Sequence, residues 1–154
     1  MTTPKQALAG LKTWLQAVAW ESTSQPIFGS GVYIVLRLPI EQLAEFPVPC
    51  AFIVDAGAIA QENHSGILYQ NVNLLIYTEN FQSNFGESVL IGGCERSGFL
   101  DIADDLYAQL VQLTAISGAK IVSIEKGRSA PTELKGNYPR AIQIYKLQIL
   151  TSVY

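Results

Sequence analysis

Only 15% of this chain is charged while 49% is hydrophobic, and that imbalance constrains it more than any single motif. An ordinary soluble domain carries about 25% charged residues. The shortfall excludes a disordered chain, which is built from high charge and low hydrophobicity. It also leaves few charges to clothe the surface of a lone chain of 154 residues, and seven Tyr and six Phe still have to be hidden. The centres of subunit interfaces are poor in charge and rich in aromatic residues, so the composition predicts a permanent oligomer. The length suits a single domain, residues 1–154, with enough core to fold without a metal or disulfide staple.

The formal net charge is -3, and the ten Lys and Arg are scattered singly. Duplex DNA binding requires several clustered cations to displace counterions. The nearest approach here is Lys126, Arg128, Lys135 and Arg140, interrupted by Glu133, so sequence-specific nucleic-acid binding is not expected. Cys50 and Cys94 lie far apart in unrelated surroundings, which suits reduced thiols better than a disulfide framework. Near the start, Lys12 and Gln16 break the apolar run that an export signal would need. Leu8, Leu11, Leu15 and Val18 recur instead at helical spacing. No apolar run is long enough to span a bilayer, and no membrane partner is expected.

Thr3, Pro4 and Gln6 form a capping-box start, predicting a helix from there to about Trp20. Strands are predicted over Val32–Leu38, by alternation and a stop at Pro39, and over the apolar run Cys50–Val54. Asp55–Gly66 reads as a loop. Ile67–Thr78 reads as a long strand with Leu68, Val72, Leu74 and Ile76 on one face and Tyr69, Asn71, Asn73 and Tyr77 on the other. That second face is polar but uncharged, as suits a surface covered by a helix or a partner. Glu79–Gly98 is a long glycine-bearing connection, of the kind that is usually functional when ordered, with one helical turn possible at Glu87–Ile91. Phe99–Ser117 is the clearest helix, its stripe made by Phe99, Ile102, Leu106, Leu110 and Leu113, with Gly118 ending it. The last strands are Ala119–Lys126 and Arg140–Ser152, joined by a broad arm, Gly127–Pro139. The prediction is an α+β fold in the order α-β-β-β-α-β-β. Its sheet is mixed, mainly antiparallel and of about five strands, flanked by two helices.

The residues offer little for chemistry. A single histidine, His64, cannot build a two-histidine metal site and reads as a solvated loop residue. A Cys-His nucleophile pair using Cys50 or Cys94 is formally possible. Cys50 sits in an apolar strand, however, so Cys94 in the glycine-rich connection is the better candidate. Asp101, Asp104 and Asp105 read as a solvated first turn favoured by the helix dipole rather than as metal ligands. Asp55 with Glu125 and Lys126 fails as a nuclease set, because adjacent strand residues point to opposite faces. Residues 85–93 match neither a Walker loop nor a dinucleotide fingerprint. No catalytic, metal-binding or cofactor-binding residue is assigned, no cofactor is expected, and the chain reads as non-enzymatic.

The order of several short pieces is more specific than any one of them. These are Phe52-Ile-Val-Asp-Ala-Gly57, Leu68-Tyr-Gln70 opening a long strand, Phe85-Gly-Glu87, Ile91-Gly-Gly93, and Gly98-Phe-Leu-Asp-Ile102 before an amphipathic helix. Together, over roughly residues 50 to 113, they resemble bacteriophage tail terminator proteins, also called tail completion proteins. The resemblance implies a homo-oligomeric ring, six subunits in number, that caps the tail tube, ends its polymerisation and forms the joint to the head or neck. Its partners would be the tail tube protein and a neck or head-tail connector protein, with DNA only as passing cargo. Such a protein belongs to the virion and is assembled in the host cytoplasm. The surfaces available for assembly are the uncharged strand face (Tyr69, Asn71, Asn73, Tyr77), the long connection (Phe81, Phe85) and the arm (Arg128, Tyr138). Another neck or tail-tube ring subunit is the alternative of the same class. A small-molecule-binding or cysteine-dependent hydrolytic domain is the alternative of another class.

Overall fold

The computed structural model describes residues 2–39, 42, 45–47, 49–62, 66–77, 99–133 and 139–153, with side chains between 128 and 142 outside the description. Its elements are α1 (Pro4–Ala17), β1 (Val32–Val35), β2 (Cys50–Ala60), β3 (Ile67–Tyr77), α2 (Phe99–Leu110), β4 (Ala115–Ile116), β5 (Ala119–Glu133) and β6 (Pro139–Ser152). The strands form one six-stranded sheet in the order β1-β2-β3-β6-β5-β4. The protein is α+β, with the helix and strand order that the sequence predicts and one additional two-residue strand, β4.

The capping box forms: Gln6 N donates to Thr3 Oγ1 at 3.3 Å and Thr3 N to Gln6 Oε1 at 2.9 Å, satisfying donors that the first helical turn would otherwise strand. The helix presents Ala7, Leu11 and Leu15 to the sheet. It stops at Ala17, short of Trp20, because Val18 adopts extended backbone and the chain turns back on itself. Ile27 N donates to Val18 O at 3.0 Å, which carries both side chains into the core. Gly10 has to be glycine where α1 approaches the β4–β5 turn, since a Cβ there would lie 2.1 Å from Ser117 Oγ and 2.9 Å from Ile116 Cγ2.

Several boundaries differ from the sequence-based expectations: β1 ends at Val35 rather than Leu38, and three further differences have local reasons. β2 does not end at Val54 but continues to Ala60 through a bulge between Asp55 and Ala58. Gly57 supplies a φ of 97° there, and its N–H donates to Asp55 Oδ1 at 3.0 Å, so residues with a loop-like composition serve as a strand. α2 ends at Leu110 rather than Ser117. Gly118 is not its cap: with Ser117 (φ 48°) it makes the two-residue turn (Gly118 φ 84°) of the β4–β5 hairpin. β5 and β6 pair out to Glu133 and Pro139, so much of the broad arm is regular antiparallel ladder. β1 lies parallel to β2 and every other described pairing is antiparallel, which makes the mixed, mainly antiparallel sheet that the sequence predicts. The connection between them supplies the dozen or more residues that a parallel crossover needs.

Both helices cover one face of the sheet. Leu11, Leu15, Ile102, Leu106 and Leu110 meet Val32, Ile53, Val72, Leu74, Ile76, Tyr145, Leu147 and Ile149 in the main core. Two polar side chains are caught beneath it: both amide atoms of Gln70 and the hydroxyl of Thr151 are buried without a hydrogen-bond partner. A buried unsatisfied polar group costs about 1–3 kcal/mol. Gln70→Leu should therefore raise the stability of the chain by about that amount, read as a higher urea midpoint at unchanged slope. A lower midpoint would show that the amide is engaged in the native protein.

Candidate assembly surface

The face of the sheet away from the helices divides into two regions. At the β1 end a second cluster buries Cys50, Phe52, Leu75 and Tyr77 against Tyr33, Val35, Leu38, Phe46, Val54 and Ile144. Phe46 packs edge-on against both Tyr33 and Phe52, with ring centroids 5.0 Å apart in each pair. The segment after β1 thus folds over this half of the face and covers it from within the same chain.

Among the described residues, none covers the other half. Tyr69, Asn71 and Asn73 are half-buried there, and Gln148 Nε2 on β6 donates to Asn71 Oδ1 at 3.3 Å. Beside Tyr69 in the ladder stands Ile59, 64% exposed. Among the described side chains, the charges reaching this region are Lys146 and its cross-strand neighbour Glu125. Of the residues singled out from sequence, Tyr69, Asn71, Asn73 and Tyr77 do share a face, as a period of two requires. Tyr77 is a core residue of the chain, with no exposed surface to offer a partner. Arg128 belongs to β5 by its backbone, and its side chain lies outside the description. Phe81, Phe85 and Tyr138 lie outside the described residues, as do His64 and Cys94. Cys50 is fully buried, consistent with its apolar surroundings in sequence.

Among the described residues the sheet also has two open edges. β1 closes one side with four residues, and its exposed apolar side chains are Ile34 (43%) and Leu36 just beyond it (98%). β4 covers only Ala119 and Lys120 of the opposite edge, so among the described residues the rest of β5 has a strand on one side alone. Next to that edge a shallow groove of about 330 Å³ is lined by Val111, Leu113, Ile121 and Ile124 among others. Val111 and Val122 are about half exposed. No periodicity in the sequence reveals these edges, because an edge is a property of strand order.

α2 is fixed to the sheet by a small polar network. Lys126 Nζ lies 2.7 Å from Asp104 Oδ1 and 5.6 Å from the centroid of the Tyr107 ring. Asp104 is exposed, as the sequence reading expects, and also pairs with Lys126. Lys126 and Glu125 do point to opposite faces. Tyr107 stacks on Tyr145 with centroids 6.2 Å apart, and the buried Tyr145 hydroxyl donates to Ala103 O at 2.5 Å. Burial, then the nearby Asp104 charge and Tyr107, hold the Tyr145 hydroxyl well above its ordinary pKa. The unfolded chain then releases this proton first. Stability from Tyr145 is full below pH ~10 and falls above it by up to about 1.4 kcal/mol per pH unit. Between pH 10 and 11 the wild type should lose stability faster than Tyr145→Phe, and parallel losses would contradict the assignment.

Among the described residues no group of His, Cys, Asp and Glu is placed to hold a metal ion, and no helix is long and apolar enough to cross a membrane. No family model matches the sequence, and no curated protein matches it. Among solved structures, a chain of the "Virion of native gene transfer agent (GTA) particle" is similar at 11% identity and a TM-score of 0.41, covering 92% of this chain and 93% of that one.

Proposed function

We propose that this chain is a non-enzymatic structural protein of a phage-type virion, a tail terminator that works as a ring of six copies. The observation that carries the reading is a surface that a lone chain leaves unfinished. Among the described residues, a charge-poor strip of sheet and two uncovered edges bear exposed Ile34, Leu36, Ile59, Val111 and Val122, in a chain with only 15% charged residues. A closed ring uses two different patches on every subunit, and so offers a partner to both sheet edges.

The choice of terminator among ring proteins rests on the ordered pieces between residues 50 and 113. Phe52–Gly57 is the part of β2 that carries its bulge, Leu68–Gln70 opens β3, and Phe99–Ile102 begins α2. In this role one side of the ring meets the last ring of tail tube protein and blocks further addition. The other side meets the neck or head-tail connector. DNA passes through without being held, in keeping with a net charge of -3 on each subunit. The protein then resides in the virion and is assembled in the host cytoplasm.

The deciding experiment mixes the purified protein with polymerising tail tube protein of the same phage. Tubes capped at one end and limited in length support the terminator role. Unaltered tube growth overturns it, and in that case binding to connector rings instead would identify a neck subunit.

A further inference from the structure

We infer that neighbouring copies join edge to edge, β1 of one copy adding antiparallel to Ser123–Lys126 of β5 in the next, so that one sheet continues from copy to copy. This deepens the ring reading above and rests on it.

Several independent features of the two edges fit one another. The first is length. β1 has four residues, and the regular stretch of β5 that pairs with β6 between its two register shifts is equally long, Ser123 to Lys126. The shifts, between Ile121 and Ser123 and between Lys126 and Ser129, interrupt the ladder on both sides. A strand added here cannot slide, since bulges break the pairing beyond the window. Pro131 further along β5 lacks a backbone donor and discourages pairing past that point.

The second is side-chain direction. β1 places Val32 on the helix face of the sheet, within the main core, and Tyr33 and Val35 on the other. Ile34 therefore stands on the helix face as well. On β5 the helix-face residues of the window are Ile124, which packs on the main core, and Lys126, which reaches Asp104. Complete antiparallel overlap pairs Val32 with Lys126, Tyr33 with Glu125, Ile34 with Ile124 and Val35 with Ser123. In that register every pair agrees in face, and the exposed Ile34 lands on the half-buried Ile124. Leu36, 98% exposed in the single chain, then continues toward Val122 and the groove beside Val111. Any register displaced by one residue would put apolar side chains of one copy opposite the wrong face of the next.

The third is strand direction. β1 runs with β2, and each later neighbour reverses, so β1 and β5 run in opposite senses within a copy. Rotation about an axis roughly parallel to the strands preserves those senses, so the joint between copies is antiparallel. The same operation keeps every helix layer on the same side of the wall, which a closed ring requires. Natural edges are usually guarded by charge or proline. The β1 edge from Val32 to Leu36 has neither, as expected of an edge that is covered in the assembled protein.

Opposed residues of an antiparallel pair have Cα atoms about 4.5–5.5 Å apart, within disulfide reach. The test is a chain carrying Ile34→Cys and Ile124→Cys together, treated with a mild oxidant and run on a non-reducing gel, beside the wild type and both single variants. The expected result is a ladder of covalent multimers ending at the ring, with single variants giving no species beyond dimer. Val35→Cys with Ser123→Cys is a second pair in the same register and should give the same ladder if the first pair perturbs folding. A ring intact by native mass that yields no ladder from either pair overturns the edge joint while leaving the ring reading standing. Chains that are monomeric by native mass and yield no ladder overturn both.

Discussion

A Leu36→Asp chain is expected to fold as well as its parent and to fail to assemble. Leu36 is 98% exposed in the single chain, so the substitution removes no packing from the folded subunit. Surface changes of this kind stay within about 0.5 kcal/mol of the parent. In the proposed joint the same side chain would lie against the apolar groove of the next copy. Loss of a buried leucine forfeits about 1.5–3 kcal/mol per joint, and the desolvated carboxylate adds a further penalty. Each joint then weakens at least about 10-fold, since 1.4 kcal/mol is a factor of ten in an equilibrium constant. Thermal unfolding and native mass measured on one preparation separate the two effects. A variant that remains a ring places the joint elsewhere, and one that fails to fold gives Leu36 a role in the subunit itself.

Phe52→Ala should produce the largest loss of subunit stability, about 3–5 kcal/mol. The ring is fully buried at the centre of the second cluster, packed between Tyr33 on β1 and Phe46 beyond it. Its removal opens a cavity and also breaks two aromatic pairs, each worth about 0.5–1.5 kcal/mol beyond area burial. β1 is only four residues long and pairs on one side with β2, so it depends on these contacts for its position. Assembly should therefore suffer together with stability, unlike in Leu36→Asp. Urea unfolding checks the first effect and native mass the second. A loss below 1 kcal/mol would mean that the cluster does not anchor β1.

How much of this was legible in the sequence follows from the range of each interaction. The start of α1 was readable because a capping box is complete within four residues, Thr3 to Gln6. The strands β1 and β3 were readable from alternation, and the apolar stripe of α2 from helical spacing. The continuation of β2 was hidden, because Asp55, Ala56 and Gly57 form a bulge from residues that also make turns. The role of Gly118 is ambiguous in sequence for a similar reason, since a glycine with positive φ ends a helix or turns a hairpin equally well. At the candidate surface, period two placed Tyr69, Asn71, Asn73 and Tyr77 on one face. It could not show that Phe46, distant in sequence, and its neighbours close over the end that holds Tyr77. The open edges were beyond reach for the same reason, because they depend on β1 and β5 lying at opposite sides of the sheet.

Whether one chain can finish its own surface is settled most directly by the native mass of the purified protein at micromolar concentration in dilute buffer. A particle of six times the 16.8 kDa subunit mass, stable without ligand, is the expected result. A well-behaved 16.8 kDa monomer under the same conditions would contradict the proposal that sister copies cover the sheet edges.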